Sequence, residues 1–379
     1  MGHTTRVIKI GGFGMVEPVM IGGIFPVLIQ TMWKDRLSFS DLTGSSGDVT
    51  LCRIKTLVAM GCGLLRFAIP DKESAEVVGN LASMTSMPLV ADIHFDYTLA
   101  LRCLDFPIAK IRINPGTIGS REKVEQVLAK AASKGVPIRI GVNGGSFPQE
   151  LRRAVAEGRL DQAGALVEAA ERELEFFREF DFPQVLVSMK ASSVADTIKA
   201  NRLLAKRTDV PLHIGVTEAG PLIPGVVRNT VAIHALLREG IGDTIRVSLS
   251  DTMEQEVIAG KEILENLGEG IGKQKRRKGV TLVSCPRCGR NSFDTHGFTQ
   301  RWQNRLYAMD QDFTIAVMGC AVNGPEEARH ADLGITGLGN KVFLFRQGKV
   351  VRTIAADTAD AAFEEELEEL CHGSGSEKK

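Results

Sequence analysis

The chain has 379 residues with 46 basic and 46 acidic side chains, so its formal net charge at pH 7 is zero. This balance excludes a protein that binds nucleic acid through its overall charge. With 44% hydrophobic and 24% charged residues, the chain can bury a large core, and its length indicates two domains or one barrel with an appended unit. No segment predicts a membrane span or a signal peptide, which favours a cytoplasmic protein.

Eight short β-branched runs alternate with amphipathic segments that are compatible with helices. The predicted strands are Val27–Gln30, Leu64–Ile69, Leu89–Phe95, Ala109–Asn114, Ile138–Asn143, Val185–Lys190, Leu212–Thr217 and Thr244–Leu249. The predicted helices include Ser120–Lys134, Asp161–Glu179, Val194–Lys206 and Arg228–Glu239. Eight such repeats predict an α/β fold, a (β/α)8 TIM barrel. A doubly wound open sheet is the alternative, but no G-x-G-x-x-G motif follows the first strand.

The pattern changes near Gly268, where a stretch rich in glycine and charge begins. We therefore expect a barrel domain over 1–267, a linker over 268–279, a smaller α+β domain over 280–371 and a disordered tail over 372–379. The second domain has short predicted strands at Thr281–Val283, Thr314–Met318, Leu333–Thr336, Val342–Phe345 and Val350–Ile354. Its predicted helices are Phe293–Met309 and Asp360–Leu370.

Positive side chains recur inside the predicted barrel strands. Four of them sit between apolar residues and the fifth ends a strand: Arg66, Arg112, Arg139, Arg246 and Lys190. Because side chains alternate along a strand, each cation points into the barrel if its aliphatic neighbours pack against helices. A buried cation needs a counter-charge, and Asp92, Glu218 and Asp251 are too few for five cations. The pattern predicts a site for phosphate or diphosphate.

Further polar residues lie at or near the ends of the same strands. They are Asp92, His94, Asn114, Asn143, His213, Thr217, Glu218 and Ser248. Active sites of TIM barrels gather at the carboxyl ends of the strands, so these residues predict a polar mouth there. A lysine on a barrel strand also permits a second interpretation, in which Lys190 forms a Schiff base with a carbonyl substrate.

Three of the seven cysteines are candidates for metal binding. Cys285 and Cys288 form a C-P-x-C-G turn that lets two thiolates converge on one metal, and Cys320 follows in the same domain. One interpretation is a zinc site completed by His296 or His330. The other is an iron–sulfur cluster with three thiolates and a carboxylate, for which Glu326 and Glu327 are the candidates.

Taken together, these motifs resemble the 4-hydroxy-3-methylbut-2-enyl diphosphate synthases of the methylerythritol phosphate route to isoprenoids. The resemblance extends in order over most of the chain. The matching stretches are Pro88–Tyr97, Ile111–Gly116, Pro137–Asn143, Val187–Ser192, Gly215–Gly220, Gly240–Leu249, the Cys285/Cys288 pair and Met318–Pro325.

The resemblance implies a cytoplasmic oxidoreductase with a TIM barrel and a 4Fe–4S domain similar to part of nitrite and sulfite reductases. It implies reductive ring opening and dehydration of 2-C-methyl-D-erythritol 2,4-cyclodiphosphate by two electrons from the cluster. Flavodoxin or ferredoxin would supply the electrons to a homodimer. No nucleic-acid or membrane partner is expected.

The resemblance also assigns roles to residues. The cluster ligands would be Cys285, Cys288, Cys320 and Glu327. Glu218 would line the substrate site, and from that place we expect it to donate a proton to the departing oxygen. The diphosphate would be bound by Arg66, Arg112, Arg139, Lys190 and Arg246. The remaining substrate contacts would come from Asp92, His94, Asn114, Asn143, His213 and Ser248.

Three stretches depart from the family pattern. Thr31–Arg36 replaces a Ser-Met-Thr-Asn-Thr run, Glu326 replaces a glycine, and Pro221–Gly225 is predicted as an unusual loop.

Two other functions remain open at this point. One is an aldolase-like barrel that uses Lys190 and carries structural zinc, and the other is a non-enzymatic zinc-ribbon interaction module.

Overall fold

A computed structural model describes residues 4–267, 279–286, 288–320 and 328–373. The chain divides into two compact units, Met1–Arg276 and Arg277–Lys379. The predicted linker over 268–279 and tail over 372–379 lie almost entirely outside the described residues. In the part of the chain that the structure describes, no helix is long and apolar enough to cross a membrane.

The first unit begins with an antiparallel hairpin that the sequence analysis did not predict. Its strands are β1 (Ile8–Ile10) and β2 (Val19–Ile21). Ile8, Ile10 and Ile21 are fully buried and pack against apolar residues near the amino-terminal ends of the barrel strands, among them Leu64 and Leu186. The hairpin therefore supplies apolar side chains to the end of the barrel opposite the predicted site.

Eight parallel strands form the barrel, and each predicted strand is present. They are β3 (Leu28–Met32), β4 (Cys62–Ala68), β5 (Leu89–Ile93), β6 (Lys110–Ile113), β7 (Ile138–Asn143), β8 (Val185–Lys190), β9 (His213–Ile214) and β10 (Thr244–Ile245). The hydrogen-bonded order is β8-β7-β6-β5-β4-β3-β10-β9. A parallel bridge between Val187 and Leu212 joins the two ends of this order. The predicted TIM barrel is confirmed.

Helices connect the successive strands. They are α1 (Gly44–Ala59), α2 (Lys72–Ala82), α3 (Tyr97–Cys103), α4 (Pro115–Ile118), α5 (Arg121–Lys134), α6 (Gln149–Ala156), α7 (Gln162–Glu179), α8 (Val194–Ala205), α9 (Leu222–Leu237) and α10 (Met253–Glu265). Short 3-10 helices occupy Phe39–Leu42 and Gly144–Ser146. Side chains such as Asp71, Asp161 and Thr252 accept hydrogen bonds from the first-turn amides and so fix where their helices begin.

One predicted loop is wrong. Pro221–Gly225 forms the cap and first turn of α9, which the sequence analysis began only at Arg228. Pro221 and Pro224 favour a loop when only the sequence is considered. A helix nevertheless tolerates proline in its first turn, because the amides there have no partner within the helix.

Among its described residues, the second unit has a mixed five-stranded sheet, two α-helices and a short 3-10 helix at Ala356–Thr358. Its strands are β11 (Thr281–Ser284), β12 (Thr314–Val317), β13 (Leu333–Leu338), β14 (Lys341–Arg346) and β15 (Lys349–Ala355), hydrogen-bonded in chain order. Strands β11 to β13 are parallel, whereas β14 and β15 pair antiparallel to their neighbours. The helices are α11 (Thr295–Tyr307) and α12 (Ala359–Gly373).

Three aromatic rings form the centre of the second unit's core. Phe363 of α12 packs edge-on against Phe298 and Trp302 of α11, at centroid distances of 5.1 and 4.8 Å. Phe363 and Phe298 are fully buried. This contact joins both helices to the same face of the sheet, because Ile315 and Leu344 belong to the same cluster.

We therefore expect Phe363→Ala to lower the unfolding free energy of this unit by about 3–5 kcal/mol, since it leaves a cavity between two helices. Denaturant unfolding followed by the fluorescence of Trp302 measures the change. Val350→Ala is the control, because Val350 is 51% exposed, and its effect should stay within about 0.5 kcal/mol. Equal effects of the two variants would contradict this description of the core.

Candidate active site

Thirteen residues at the carboxyl ends of the barrel strands line one cavity of about 170 Å³. They are Arg66, Asp92, His94, Arg112, Arg139, Gly141, Val142, Asn143, Ser188, Lys190, Thr217, Arg246 and Ser248. Each lies in a barrel strand or within a few residues of its end. Because all eight strands are parallel, these ends meet at a single face of the barrel.

The cavity brings together nine of the predicted substrate-binding residues. They are Arg66, Asp92, His94, Arg112, Arg139, Asn143, Lys190, Arg246 and Ser248. The strand register accounts for part of this grouping, since Asp92 lies beside Arg112, and Arg112 beside Arg139, in successive parallel pairs. Residues that share a register position on neighbouring strands point to the same side of the sheet. Their roles in binding remain predictions.

Asp92 is the carboxylate at the centre of the cavity. It is 3% exposed and accepts a hydrogen bond of 3.0 Å from Arg112 Nη1, while Arg66 Nε lies 3.6 Å away. Burial alone would raise the pKa of Asp92, but Arg66, His94 and Arg112 outweigh burial and hold the pKa well below its usual range. Asp92 therefore stays ionised and orients two of the arginines.

Glu256, on α10, is a second carboxylate beside the cavity, and the sequence analysis missed it. Its side chain is fully buried and pairs with Arg246 at 2.9 Å and with Lys34 at 2.6 Å. A glutamate in the first turn of a helix is common on the surface as well, so the sequence gives no signal that this side chain is buried against an arginine. The pairing also places Lys34, from the departing Thr31–Arg36 stretch, next to the site.

Positive charge exceeds negative charge around the cavity. Five cations and the carboxylate Asp92 line the cavity, and Glu256 beside it pairs with both Arg246 and Lys34. Among the residues that the structure describes, six cations therefore face two carboxylates, which leaves four positive charges. Arg139 is 1% exposed, and its Nε and Nη1 atoms have no hydrogen-bond partner within that part of the chain. Unpartnered buried donors are costly, so the arrangement favours an anion as the missing partner.

Burial, together with the excess positive charge, lowers the pKa values of two of the cations. Burial lowers the pKa of Arg66 to about 10, although Asp92 opposes the shift. Burial, Arg246 and Arg139 lower the pKa of Lys190 well below its usual value. These shifts reflect burial first, and repulsion between the neighbouring cations adds to it.

Two glycines make room for the cations. A Cβ atom at Gly141 would lie 2.5 Å from the Nε and Nη2 atoms of Arg112. Gly215 has a φ of +148°, and a Cβ atom there would lie 2.3 Å from the main-chain oxygen of Arg246 and 3.1 Å from Lys190 Nζ. Side chains at these positions would displace the groups that line the cavity.

Three predicted site residues do not line the cavity. Asn114 is buried and caps α4, where its main-chain oxygen accepts a hydrogen bond from Thr117. His213 is fully buried in the barrel, with Nδ1 2.8 Å from Thr244 Oγ1. Glu218 is exposed at a φ of 51°, directly after the lining residue Thr217, and accepts a hydrogen bond from Ser192 at 3.3 Å.

The three candidate metal-binding cysteines lie in turns at one edge of the second unit's sheet. Cys285 directly follows β11, and its amide donates to Val317 at the end of the neighbouring parallel strand β12. Cys320 lies three residues beyond Val317. The turn after Cys288 is joined to this edge because the amide of Ser292 donates to Gly319.

The chemistry of this donor set fits an iron–sulfur cluster. Three thiols follow the carboxyl ends of two adjacent strands and the turn attached to them, and soft thiolates are the ligands that such clusters prefer. Within the described residues, no three histidine, cysteine or acidic side chains lie close enough together to hold a metal ion. The predicted fourth ligand, Glu327, and its alternative Glu326 lie outside the described residues.

The geometry defines a class of protein: a (β/α)8 barrel with a polycationic cavity at its carboxyl face, followed by a smaller unit with three cysteines at a sheet edge. The profile of the GcpE TIM-barrel domain matches residues 11–261, and that of the GcpE protein C-terminal domain matches residues 281–369. The chain belongs to the GcpE family, and the family resemblance inferred from the motifs is confirmed.

Curated relatives match over nearly their whole length. The 4-hydroxy-3-methylbut-2-en-1-yl diphosphate synthase (flavodoxin) of Treponema denticola is 49% identical over 96% of this chain and 98% of its own. Proteins of the same name from Treponema pallidum and Geobacter sulfurreducens are 50% and 44% identical, covering 97% and 96% of this chain and 92% and 98% of their own. Among solved structures, dihydropteroate synthase from Thermus thermophilus aligns at 17% identity and a TM-score of 0.46, covering 68% of this chain and 96% of its own.

The lowered pKa of Lys190 predicts how stability depends on pH. Between that lowered pKa and the usual lysine value of about 10.4, the unfolded chain binds more protons than the folded one, so this residue makes stability rise with pH. Lys190→Met removes the buried amine, whose protonation the fold disfavours. We expect the variant to be more stable than the parent chain, with the largest difference at the acidic end of this range.

Chemical denaturation from pH 6 to pH 9 tests this expectation. Lys199→Met is the control, because Lys199 is exposed and its pKa is raised by its pairing with Asp161. A Lys190→Met variant that is less stable than the parent chain at pH 6 would contradict the proposed charge excess.

Proposed function

We propose that this chain catalyses the reductive ring opening and dehydration of 2-C-methyl-D-erythritol 2,4-cyclodiphosphate to 4-hydroxy-3-methylbut-2-enyl diphosphate, as a 4-hydroxy-3-methylbut-2-enyl diphosphate synthase. One observation carries the proposal: five cations converge on a cavity at the catalytic face of the barrel, in a chain 49% identical to a curated enzyme of that name. Family membership also argues against the aldolase-like and zinc-ribbon alternatives.

The proposed reaction balances as a two-electron reduction. The C2–O bond to the cyclic diphosphate breaks, with its electron pair leaving on the phosphate oxygen. Two electrons enter, a C2–C3 double bond forms, and the C3 hydroxyl departs as water after taking one proton. The product carries a free diphosphate end, so its charge is more negative than that of the substrate.

The cations of the cavity suit this change in charge. Arg66 lies on β4, Arg112 and Arg139 lie on the adjacent strands β6 and β7, and Lys190 and Arg246 complete the ring. Guanidinium groups on a rigid sheet bind a diphosphate without reorganising, so they stabilise the negative charge that grows on the leaving phosphate oxygen. Asp92 and His94 would hold two of these arginines in place and contact the hydroxyl groups of the substrate.

The proposed cofactor is a 4Fe–4S cluster held by Cys285, Cys288, Cys320 and Glu327, with Glu326 as the alternative fourth ligand. When bound, the cluster would supply the two electrons. Glu218 is the proposed proton donor to the departing hydroxyl. Its place directly after Thr217, a lining residue, supports this role, since its carboxyl is exposed at the carboxyl face and accepts a hydrogen bond from Ser192.

The proposed reaction needs an external source of electrons. The electron donor would be flavodoxin or ferredoxin, and the names of the relatives from both Treponema species and from Geobacter sulfurreducens include flavodoxin. The enzyme would act as a cytoplasmic homodimer, and its second domain would be similar to part of nitrite and sulfite reductases. No nucleic acid or membrane would take part.

Purification without oxygen tests the cluster assignment. We expect the chain to carry iron and acid-labile sulfide and to be brown, and Cys320→Ser to lose most of both, because a serine hydroxyl is a poor ligand for iron–sulfur iron. Cys371→Ser is the matched control, since Cys371 belongs to α12 and not to the cysteine edge. Iron and sulfide analysis measures both variants. Sulfide absent from the reconstituted parent chain, or retained fully by Cys320→Ser, would contradict the assignment.

A substitution in the cavity tests the substrate assignment. Arg112→Ala should reduce turnover of the cyclodiphosphate by at least about 100-fold, because it removes a charge-assisted contact to the diphosphate and leaves Asp92 without its closest partner. Arg159→Ala, which removes an exposed arginine paired with Glu157 outside the cavity, should leave turnover unchanged. Steady-state assays with a chemical reductant measure both, and circular dichroism checks the fold. Equal turnover of the two variants would refute the proposed site.

A further inference from the structure

Glu256 is a fully buried carboxylate that receives hydrogen bonds from several parts of the barrel. Arg246 donates to it through two nitrogens, with Nε 3.1 Å from Oε2 and Nη2 2.9 Å from Oε1. Lys34 Nζ lies 2.6 Å from Oε1, and the Thr31 hydroxyl donates to Oε2 at 2.7 Å. The amide of Leu249 donates to Oε1 at 3.1 Å. These donors occupy the acceptor positions of both carboxylate oxygens.

A carboxylate in this position is held ionised and is not available as an acid or base. Burial alone would raise the pKa of Glu256, but Arg246 and Lys34 outweigh burial and lower it. The group therefore acts through the side chains that it binds. Of these, Arg246 lines the cavity directly.

Arg246 needs such a partner for two reasons. Strand β10 contains only Thr244 and Ile245, so Arg246 follows the strand rather than lying within it. Arg66 and Lys190 are close enough that repulsion from Arg246 contributes to lowering both of their pKa values. Without a fixed counter-charge, this repulsion would favour guanidinium orientations away from the other cations.

We propose that Glu256 is a positioning residue, which holds the Arg246 guanidinium towards the anion cavity and ties α10 to β3 through Thr31 and to the segment after β3 through Lys34. The inference rests on the proposed function, since it assumes that the cavity binds the diphosphate of the substrate. A bidentate pair fixes both the position and the plane of a guanidinium. The anion then meets an arginine that has already lost its rotational freedom.

A role in neutralising charge and a role in positioning Arg246 predict opposite changes in anion affinity when Glu256 is replaced. If Glu256 served only to neutralise a cation, its removal would raise the positive potential of the cavity and tighten anion binding. If it positions Arg246, its removal weakens binding in spite of the increased positive charge. Glu256→Gln removes the charge at constant size, and Glu256→Asp keeps the charge but shortens the reach.

The experiment measures binding of inorganic pyrophosphate and of the cyclodiphosphate to the full-length protein with its cluster, by calorimetry without oxygen. We expect Glu256→Gln and Glu256→Asp each to weaken the binding of both by about 10-fold or more, the range of one lost charge-assisted hydrogen bond. The Michaelis constant for the cyclodiphosphate should rise in parallel. Glu254→Gln is the matched control, because Glu254 lies on the same helix but pairs with Arg53 outside the cavity; it should bind as the parent chain does.

A double-mutant cycle tests whether Glu256 acts through Arg246. In an Arg246→Met background, Glu256→Gln should cause no further loss of pyrophosphate affinity. Additive losses, or a Glu256→Gln variant that binds as tightly as the parent chain or more tightly, would overturn the inference. If Glu256→Gln does not fold, Glu256→Asp carries the same test alone, and unchanged affinity in that variant would overturn it too. A parent chain that binds neither ligand would refute the proposed function instead.

Discussion

An uncompensated excess of positive charge, held inside a rigid parallel barrel, is the constraint on which the site depends. Four more cations than carboxylates lie in or beside one small cavity, and two nitrogens of the buried Arg139 have no partner within the described chain. Such an arrangement is unfavourable in the free protein, as the lowered pKa values of Lys190 and Arg66 indicate. A bound multivalent anion relieves the repulsion between the cations, so this electrostatic free energy contributes to the affinity of the site for the anion.

The surroundings of the cavity limit that cost without removing it. Asp92 and Glu256 each hold arginines by short contacts, but both are buried and fully engaged, so they orient the cations more than they neutralise the site. Gly141 and Gly215 leave space into which the guanidinium of Arg112 and the main chain of Arg246 fit. The positions of the cations therefore depend partly on residues such as Glu256 and Gly215, which do not line the cavity.

The sequence predicts the barrel and its cations well because both follow from strand periodicity. Each apolar-Arg-apolar triplet fixes a face, and the strand order then brings Arg112 and Arg139 into adjacent register positions. Strand periodicity does not predict how deep inside the barrel a given side chain lies. His213 has a similar local pattern to Arg246 but lies below the cavity, and Glu256 reaches the site from a helix. Short, isolated pairings such as the hairpin begun by Ile8–Ile10 also leave little periodic signal.

The two units hold their functional groups on different kinds of scaffold, and this difference follows from chemistry. Cations that bind a diphosphate must resist mutual repulsion, which requires strands fixed by hydrogen bonds on both sides. Thiolates attract a metal and are ordered by the bonds they form to it, so turns such as the one between Cys285 and Cys288 suffice. The cations of the barrel cavity are accordingly positioned by the protein alone. The turns of the second unit only bring the three cysteines near one another, and the bound cluster would fix the final positions of their sulfur atoms.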